Sequence, residues 1–278
     1  MSFRFKPAAL IGSLFASHLV TAADLSLNGR DDILESAKTL AEDLVTNHYP
    51  DTSEPGTIPG LLSDDTYYFW QSGAFMAHLI DYWHLTDDDT YNDLVAEGMR
   101  HQSGEAHNFM PANQTRVLMN DDQCTWGSAA MLAAENGLPG EDDDEWLGRA
   151  QNVFNDMWIR FELNDEETCG GGLRWALFPF NEGWDFKNTL SNACFFDLAA
   201  RLARYTGNAT YAEAATTAWD WMVDVELVNT RDWTAQQRAS VDENCTDASG
   251  PAESETMAFL AHGAAFMFNH VGFLPFCH

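Results

Sequence analysis

Apolar residues recur at a helical spacing along almost the whole of this 278-residue chain, and that feature limits the fold more than any other. A period of 3.6 gives each helix one apolar stripe, which has to be buried against a neighbour. Asp31 and Asp32 open the first such segment, where acids suit the positive end of a helix. Its stripe is Leu34, Ala37, Leu40, Ala41, Leu44 and Val45. Pro50, Pro55, Gly56, Pro59 and Gly60 then predict a loop over 50–63. Further helices are expected at 67–84, 90–101, 121–136, 145–161, 188–205, 210–226 and 254–270. The 67–84 segment is apolar on most sides and belongs in the interior. Convincing period-two alternation is missing, and only Gly172–Phe178 reads as a possible short strand.

A faint repeat organises these helices. Thr86-Asp87-Asp88-Asp89-Thr90-Tyr91 and Thr206-Gly207-Asn208-Ala209-Thr210-Tyr211 share the pattern T-x-x-x-T-Y, each between a long apolar helix and an amphipathic one. A turn at Pro139–Trp146 sits between them in the same setting. The outer copies lie about 120 residues apart, so one helical hairpin takes roughly 60 residues, the period of a hairpin array or toroid. The alternative is a non-repeating all-α domain with a shared turn. Acid runs at Asp87–Asp89 and Glu141–Glu145 do not follow a calcium loop. Both precede helices, where acids favour the dipole.

Residues 1–22 read as a secretory signal. Arg4 and Lys6 precede an apolar run from Ala8 to Val20 that ends in Thr21, Ala22 and Ala23. The run is too short to span a bilayer, and no later stretch is long and apolar enough to do so. A single domain is expected over 23–278. The sequons at Asn113, Asn208 and Asn244 fit export. Cys124, Cys169, Cys194, Cys245 and Cys277 permit disulfides on that route, but an odd count leaves one thiol over. Leaving one out permits fifteen two-bridge patterns, and spacing chooses none of them. No CxxC or HExxH spacing occurs, so no metal is expected. The formal net charge of −29 would repel a polyanion, which excludes nucleic acid as a partner.

The chemistry concentrates in two stretches. In Met119-Asn120-Asp121-Asp122-Gln123-Cys124-Thr125-Trp126-Gly127, two adjacent acids stand where a polar loop enters an Ala-rich helix. Like charges held together push their pKa values apart, so one can carry a proton while the other stays ionised, as cleavage of a glycosidic bond needs. This requires both carboxylates to project into an open cleft. Helix capping by Asn120 or Asp121, with Asp122 on the dipole, explains the same residues equally well. The second stretch runs from Cys169-Gly170-Gly171-Gly172-Leu173-Arg174-Trp175 to Asn188. Its glycines allow close approach of a ligand or positive φ angles, and it lacks the GKS/GKT of a phosphate loop. Trp70, Trp126, Trp175 and Trp184 with Asn113, Gln123, Asn181, Asn188 and Asn192 suit a carbohydrate cleft, since aromatic faces stack on sugar rings and amides bond hydroxyls. For any one tryptophan, core packing is the competing role. A serine hydrolase is excluded by the lack of GxSxG.

At these residues the chain resembles the fungal mannan endo-1,6-α-mannosidases of glycoside hydrolase family 76, which include proteins thought to attach GPI-anchored mannoproteins to the cell wall. The matching stretches are YYFWQSGAFMAHLIDYWH (67–84), NFMPANQT (108–115), NDDQCTWGSAAMLAAE (120–135), the run from TCGGGLRW (168–175) through KNTLSN (187–192) to Ala212, and HGAAFMFN (262–269). The resemblance implies an all-α (α/α)6 toroid of helical hairpins, no cofactor, and a retaining double displacement at α-1,6-mannosidic linkages of mannan or of GPI-glycan mannose. It makes Asp121 the nucleophile and Asp122 the acid/base, and it places Trp126, Trp175 and Lys187 in the groove. Six hairpins need twelve helices, whereas about eight are visible, so the ring is expected to be incomplete. Residues 270–278 lack the features of a GPI signal, and the signal segment makes a secreted, extracellular or wall-associated protein the expectation. A second reading follows: a mannan-binding wall protein with impaired catalysis.

Overall fold

The computed structural model describes residues 25–63, 67–163 and 168–271, with the side chain of Val271 excepted. The signal-like segment, Cys277 and most of the tail assessed for a GPI signal lie outside the described residues. The chain divides into two compact units, 1–40 and 41–278, and the division falls within the first helix, α1 (Arg30–His48). In the first unit Ser26 fastens the chain to that helix. Its N–H donates to Ser36 Oγ at 2.9 Å, and its hydroxyl donates to Asp32 Oδ2 at 2.6 Å.

The second unit is built from hairpins. α2 (Phe69–Thr86) and α3 (Asn92–Gln102), α4 (Asn120–Asn136) and α5 (Glu145–Leu163), and α6 (Thr189–Thr206) and α7 (Ala209–Asp224) pair along the chain, and α8 (Ser254–Val271) follows. Among the described residues there are eight helices, and each lies where the apolar period places it. α2, α4, α6 and α8 pack successively on one another, and α3, α5 and α7 back the first three. The series is the hairpin toroid pattern, with alternate helices forming the inner layer. Inner-layer helices touch neighbours on several sides, which is why almost all of α6 from Thr189 to Ala203 is buried. Their close approach depends on small residues. A Cβ on Gly73 of α2 would meet the Trp126 ring at 3.0 Å, and one on Gly263 of α8 would meet Phe196 at 2.6 Å.

The repeated turn is a repeat of hydrogen bonds. Thr86 Oγ1 donates to Tyr82 O and accepts from Asp88 N, and Asp88 Oδ1 then accepts from Thr90 N at 3.1 Å. Thr206, Leu202, Asn208 and Thr210 reproduce this, the last bond at 3.0 Å. Asp87 and Gly207 close their helices with φ of 61° and 71°. The threonine satisfies a free end-carbonyl, the left-handed residue reverses the chain, and the Asp or Asn side chain starts the next helix.

The helical toroid expectation holds, and a small antiparallel sheet that the sequence did not reveal stands among the helices. β3 (Thr234–Ser240) pairs with β1 (Phe186–Asn188), β2 (Val228–Asn229) and β4 (Ser249–Pro251). β3 escapes a period-two search because it buries only Ala235 and Ala239 in a polar background. The Gly172–Phe178 stretch is no strand; it makes two isolated bridges, Arg174 to Lys187 and Ala176 to Met119. Of the fifteen disulfide patterns the fold selects Cys124–Cys194, joining α4 to α6, and Cys169–Cys245, joining the glycine-rich turn to the segment after β3. The three sequon asparagines are exposed. Asn208 also caps α7, and Asn244 Oδ1 accepts from Cys169 N at 3.0 Å.

Candidate active site

The first turn of α4 opens on a cavity of about 350 Å³. Its walls come from distant parts of the chain: Trp70 of α2, Asp121 and Thr125 of α4, Trp175 of the glycine-rich stretch, Phe186 and Asn188 of β1, Gln237 and Arg238 of β3, and Glu253, Glu255, Thr256 and Phe259 around the start of α8. Asp121 and Asp122 are half-buried. Trp175 Nε1 donates to both oxygens of Asp121, at 3.0 and 3.2 Å. Asp122 Oδ2 accepts the Met119 N–H at 2.8 Å, and Asp122 also takes a backbone hydrogen bond from Trp70. The two acids are placed differently: Asp122 closes the end of α4, while Asp121 faces the cavity. Asp122 is beside that cavity and is not one of its lining residues.

Burial raises both carboxyl groups. Asp121 is pushed up to about 7, by desolvation first and then by the charge of Asp122, against the hydrogen bonds from Trp175 and backbone. Asp122 is pushed up to about 6 by desolvation, against the N–H groups of Met119 and Trp70. These values belong to the pair: near neutral pH the two acids hold about one proton between them. The larger rise falls on Asp121, which feels the charge of Asp122 in addition to burial.

Trp70, 36% exposed, Trp175 and Asn188 stand on the cavity wall. Trp126, Gln123, Asn192, Asn113 and Lys187 are not among its lining residues. Trp126 is fully buried, stacks on Phe69 and Phe109, and donates its indole N–H to Phe69 O at 3.0 Å. It is the core of the α2–α4 contact. Trp126→Ala is expected to cost about 3–5 kcal/mol of stability, read as a lowered denaturation midpoint in urea. Gln123 is also interior, donating to Asn108 O at 2.8 Å and accepting from Arg160. Asn192 bonds both backbone groups of Leu173. Asn113 is exposed and is not one of the lining residues.

Lys187 is the plainest correction. It is fully buried, its Nζ donates to Thr168 O and Gly171 O, and it lies 5.5 Å from the Trp221 ring centroid. The positive φ angles of Cys169, Gly170, Gly171 and Gly172 wrap this turn around a lysine of the chain and not around a ligand. Sequence reasoning also missed the far wall. Gln237 and Arg238 lie on the strand it overlooked, and nothing in the Glu253–Phe259 pattern marks a cavity.

Comparison with known proteins shows the family. The Glycosyl hydrolase family 76 pattern matches residues 32–273. The chain belongs to that family. Mannan endo-1,6-α-mannosidase DCW1 of Saccharomyces cerevisiae is 39% identical over 270 residues, covering 96% of this chain and 59% of that protein. Dfg5 from Chaetomium thermophilum, solved in complex with glucosamine, superposes with a TM-score of 0.84 at 43% identity, over 91% of this chain and 63% of that one. An inactive variant of the α-1,6-mannanase of a Salegentibacter species, in complex with α-1,6-mannotriose, shares the fold at a TM-score of 0.67 and 14% identity, over 87% of this chain and 66% of that one. The family 76 chain described here thus spans about three fifths of the length of DCW1. Among its described residues no helix is long and apolar enough to cross a membrane.

Proposed function

We propose that the protein is a retaining endo-α-1,6-mannosidase or transmannosylase, acting on mannan or on the mannose of a GPI glycan, outside the cell or at the wall. The observation that carries the reading is Asp121: a cavity-facing carboxylate held by an indole N–H, with a second raised carboxylate next to it in the chain. In the first step the Asp121 carboxylate attacks the anomeric carbon. The bond from that carbon to the linking oxygen breaks, and the oxygen leaves with the electron pair and takes a proton from Asp122. In the second step Asp122 removes a proton from water or an acceptor hydroxyl. That oxygen displaces Asp121 from the anomeric carbon. Water gives hydrolysis, and a sugar hydroxyl gives transfer.

The roles require the shared proton on Asp122 at the moment of cleavage. Positive charge growing at the anomeric carbon beside Asp121 favours its ionised form and drives the proton to its neighbour. The larger rise at Asp121 favours a second reading, in which the roles are exchanged. Azide separates the two with an activated α-mannoside as substrate. On Asp121→Ala, azide is expected to occupy the nucleophile's side and give the β-mannosyl azide; on Asp122→Ala it intercepts the mannosyl-enzyme and gives the α-anomer. The opposite pairing exchanges the roles. Wild-type protein is expected to release reducing sugar from unbranched α-1,6-mannan, with a bell-shaped pH profile set by the pair. Binding of mannan without turnover would leave a wall-bound mannan-binding protein instead.

A further inference from the structure

Asn120 contributes no atom to the cavity, yet it is 2% exposed and spends its polar groups on one task. Its backbone N–H donates to Trp175 O at 2.9 Å, and its side-chain Nδ2 donates to Arg174 O at 2.8 Å. Two successive carbonyls of the glycine-rich stretch are thereby clamped to the residue next to Asp121. Its Oδ1 is buried without a partner, a cost that an apolar residue here would avoid. The other side of the clamp is Gly183. It is buried at φ 90°, and a Cβ there would lie 2.3 Å from the Trp175 ring. That ring stacks on Phe186 at 5.5 Å, and Trp175 N–H donates to Phe186 O at 3.2 Å. The indole is therefore held from three directions: Asn120 fixes its backbone, Phe186 supports the ring, and Gly183 leaves the space the ring occupies.

We propose that Asn120 and Gly183 are positioning residues of the site, which act through Trp175 to aim its indole N–H at the Asp121 carboxylate. The inference rests on the mannosidase reading for its catalytic consequence, but its physical content concerns Asp121 alone. The N–H stabilises the ionised carboxylate. Letting the indole drift removes that bond while Phe186 still supports the ring, so burial changes little and the proton is held more tightly. The other charged groups at Asp121 are Asp122 on its own helix and, across the cavity, Arg238 of β3 and Glu253 and Glu255 at the start of α8. None of them is altered by substitution at 120 or 183.

The test is a carbon-13 NMR titration of the Asp121 side-chain carboxyl in wild type, Asn120→Ala, Gly183→Ala and Trp175→Phe, with circular dichroism to confirm folding. Trp175→Phe keeps a ring and deletes only the donor. Loss of one hydrogen bond to a charged group moves a titration by about one pH unit, so all three variants are expected to titrate about one unit higher. In active protein the acidic limb of kcat/KM is expected to move up by the same amount, a change that general loosening would not produce. If Asn120→Ala does not fold, Gly183→Ala decides. A folded Asn120→Ala or Gly183→Ala that titrates as wild type, while Trp175→Phe shifts, overturns the proposal. The titration needs no turnover, so failure of the mannosidase reading leaves this test standing.

Discussion

Asp121→Asn is expected to lower turnover of α-1,6-mannan by about four orders of magnitude or more, because the amide cannot form the covalent intermediate. The fold should survive, since the amide oxygen can still accept from Trp175 Nε1. Stability should move the other way. Asp121 titrates higher in the folded protein, pushed up to about 7 from the ordinary 3.8. The native state thus binds more protons than the unfolded chain across that interval, and stability falls as pH rises through it. At pH 7.5 wild type bears the full cost of the half-buried charge. The Asn variant is free of it and should melt at the higher temperature, with the difference shrinking toward pH 4. Calorimetry over that range, beside a reducing-sugar assay, checks both halves. A variant that keeps wild-type turnover removes Asp121 from the mechanism. A variant that melts at the same temperature as wild type at every pH contradicts the raised carboxyl.

Deleting the Cys124–Cys194 bridge as Cys124→Ala/Cys194→Ala is expected to have a large effect on stability. The two cysteines are 70 residues apart in sequence, and the unfolded chain gains the freedom of that loop, worth about 4 kcal/mol on a chain-entropy account. For a chain of this size that is a fall in melting temperature of roughly 8–16 °C. The bridge ties α4, which carries the acidic pair, to α6, and Cys194 itself stands on the cavity wall. Activity should therefore fall before the global transition, as the first turn of α4 loses its tether. Cys169→Ala/Cys245→Ala, with a separation of 76, is a comparison of similar loop length that leaves α4 bridged. A thermal scan of both variants and of wild type under reductant separates the local from the global contribution.

Much of the site was legible and much was not, for a consistent reason. The acidic pair could be found because adjacency at a helix start is visible in a string of letters. The tryptophans could not be sorted. Trp70 and Trp175 stand on the wall while Trp126 is the core of a helix crossing, yet all three lie in similar aromatic surroundings in sequence. Lys187, with its neighbouring amides, looked like a polar groove residue, but its charge satisfies the carbonyls of the Thr168–Gly172 turn. The local pattern records what a side chain can do and not which partner reaches it.

The sequence by itself determined the eight helices, their pairing into hairpins and the turn that repeats between them. Each of these depends on interactions within a few residues: an apolar stripe, a threonine on an end-carbonyl, a left-handed stop. Tertiary structure alone decided the disulfide pairing, the strand that buries only two alanines, and the cavity assembled from residues 70 to 259. Those features depend on contacts between segments tens of residues apart, where burial is set by what packs on a side chain and not by the side chain's own chemistry.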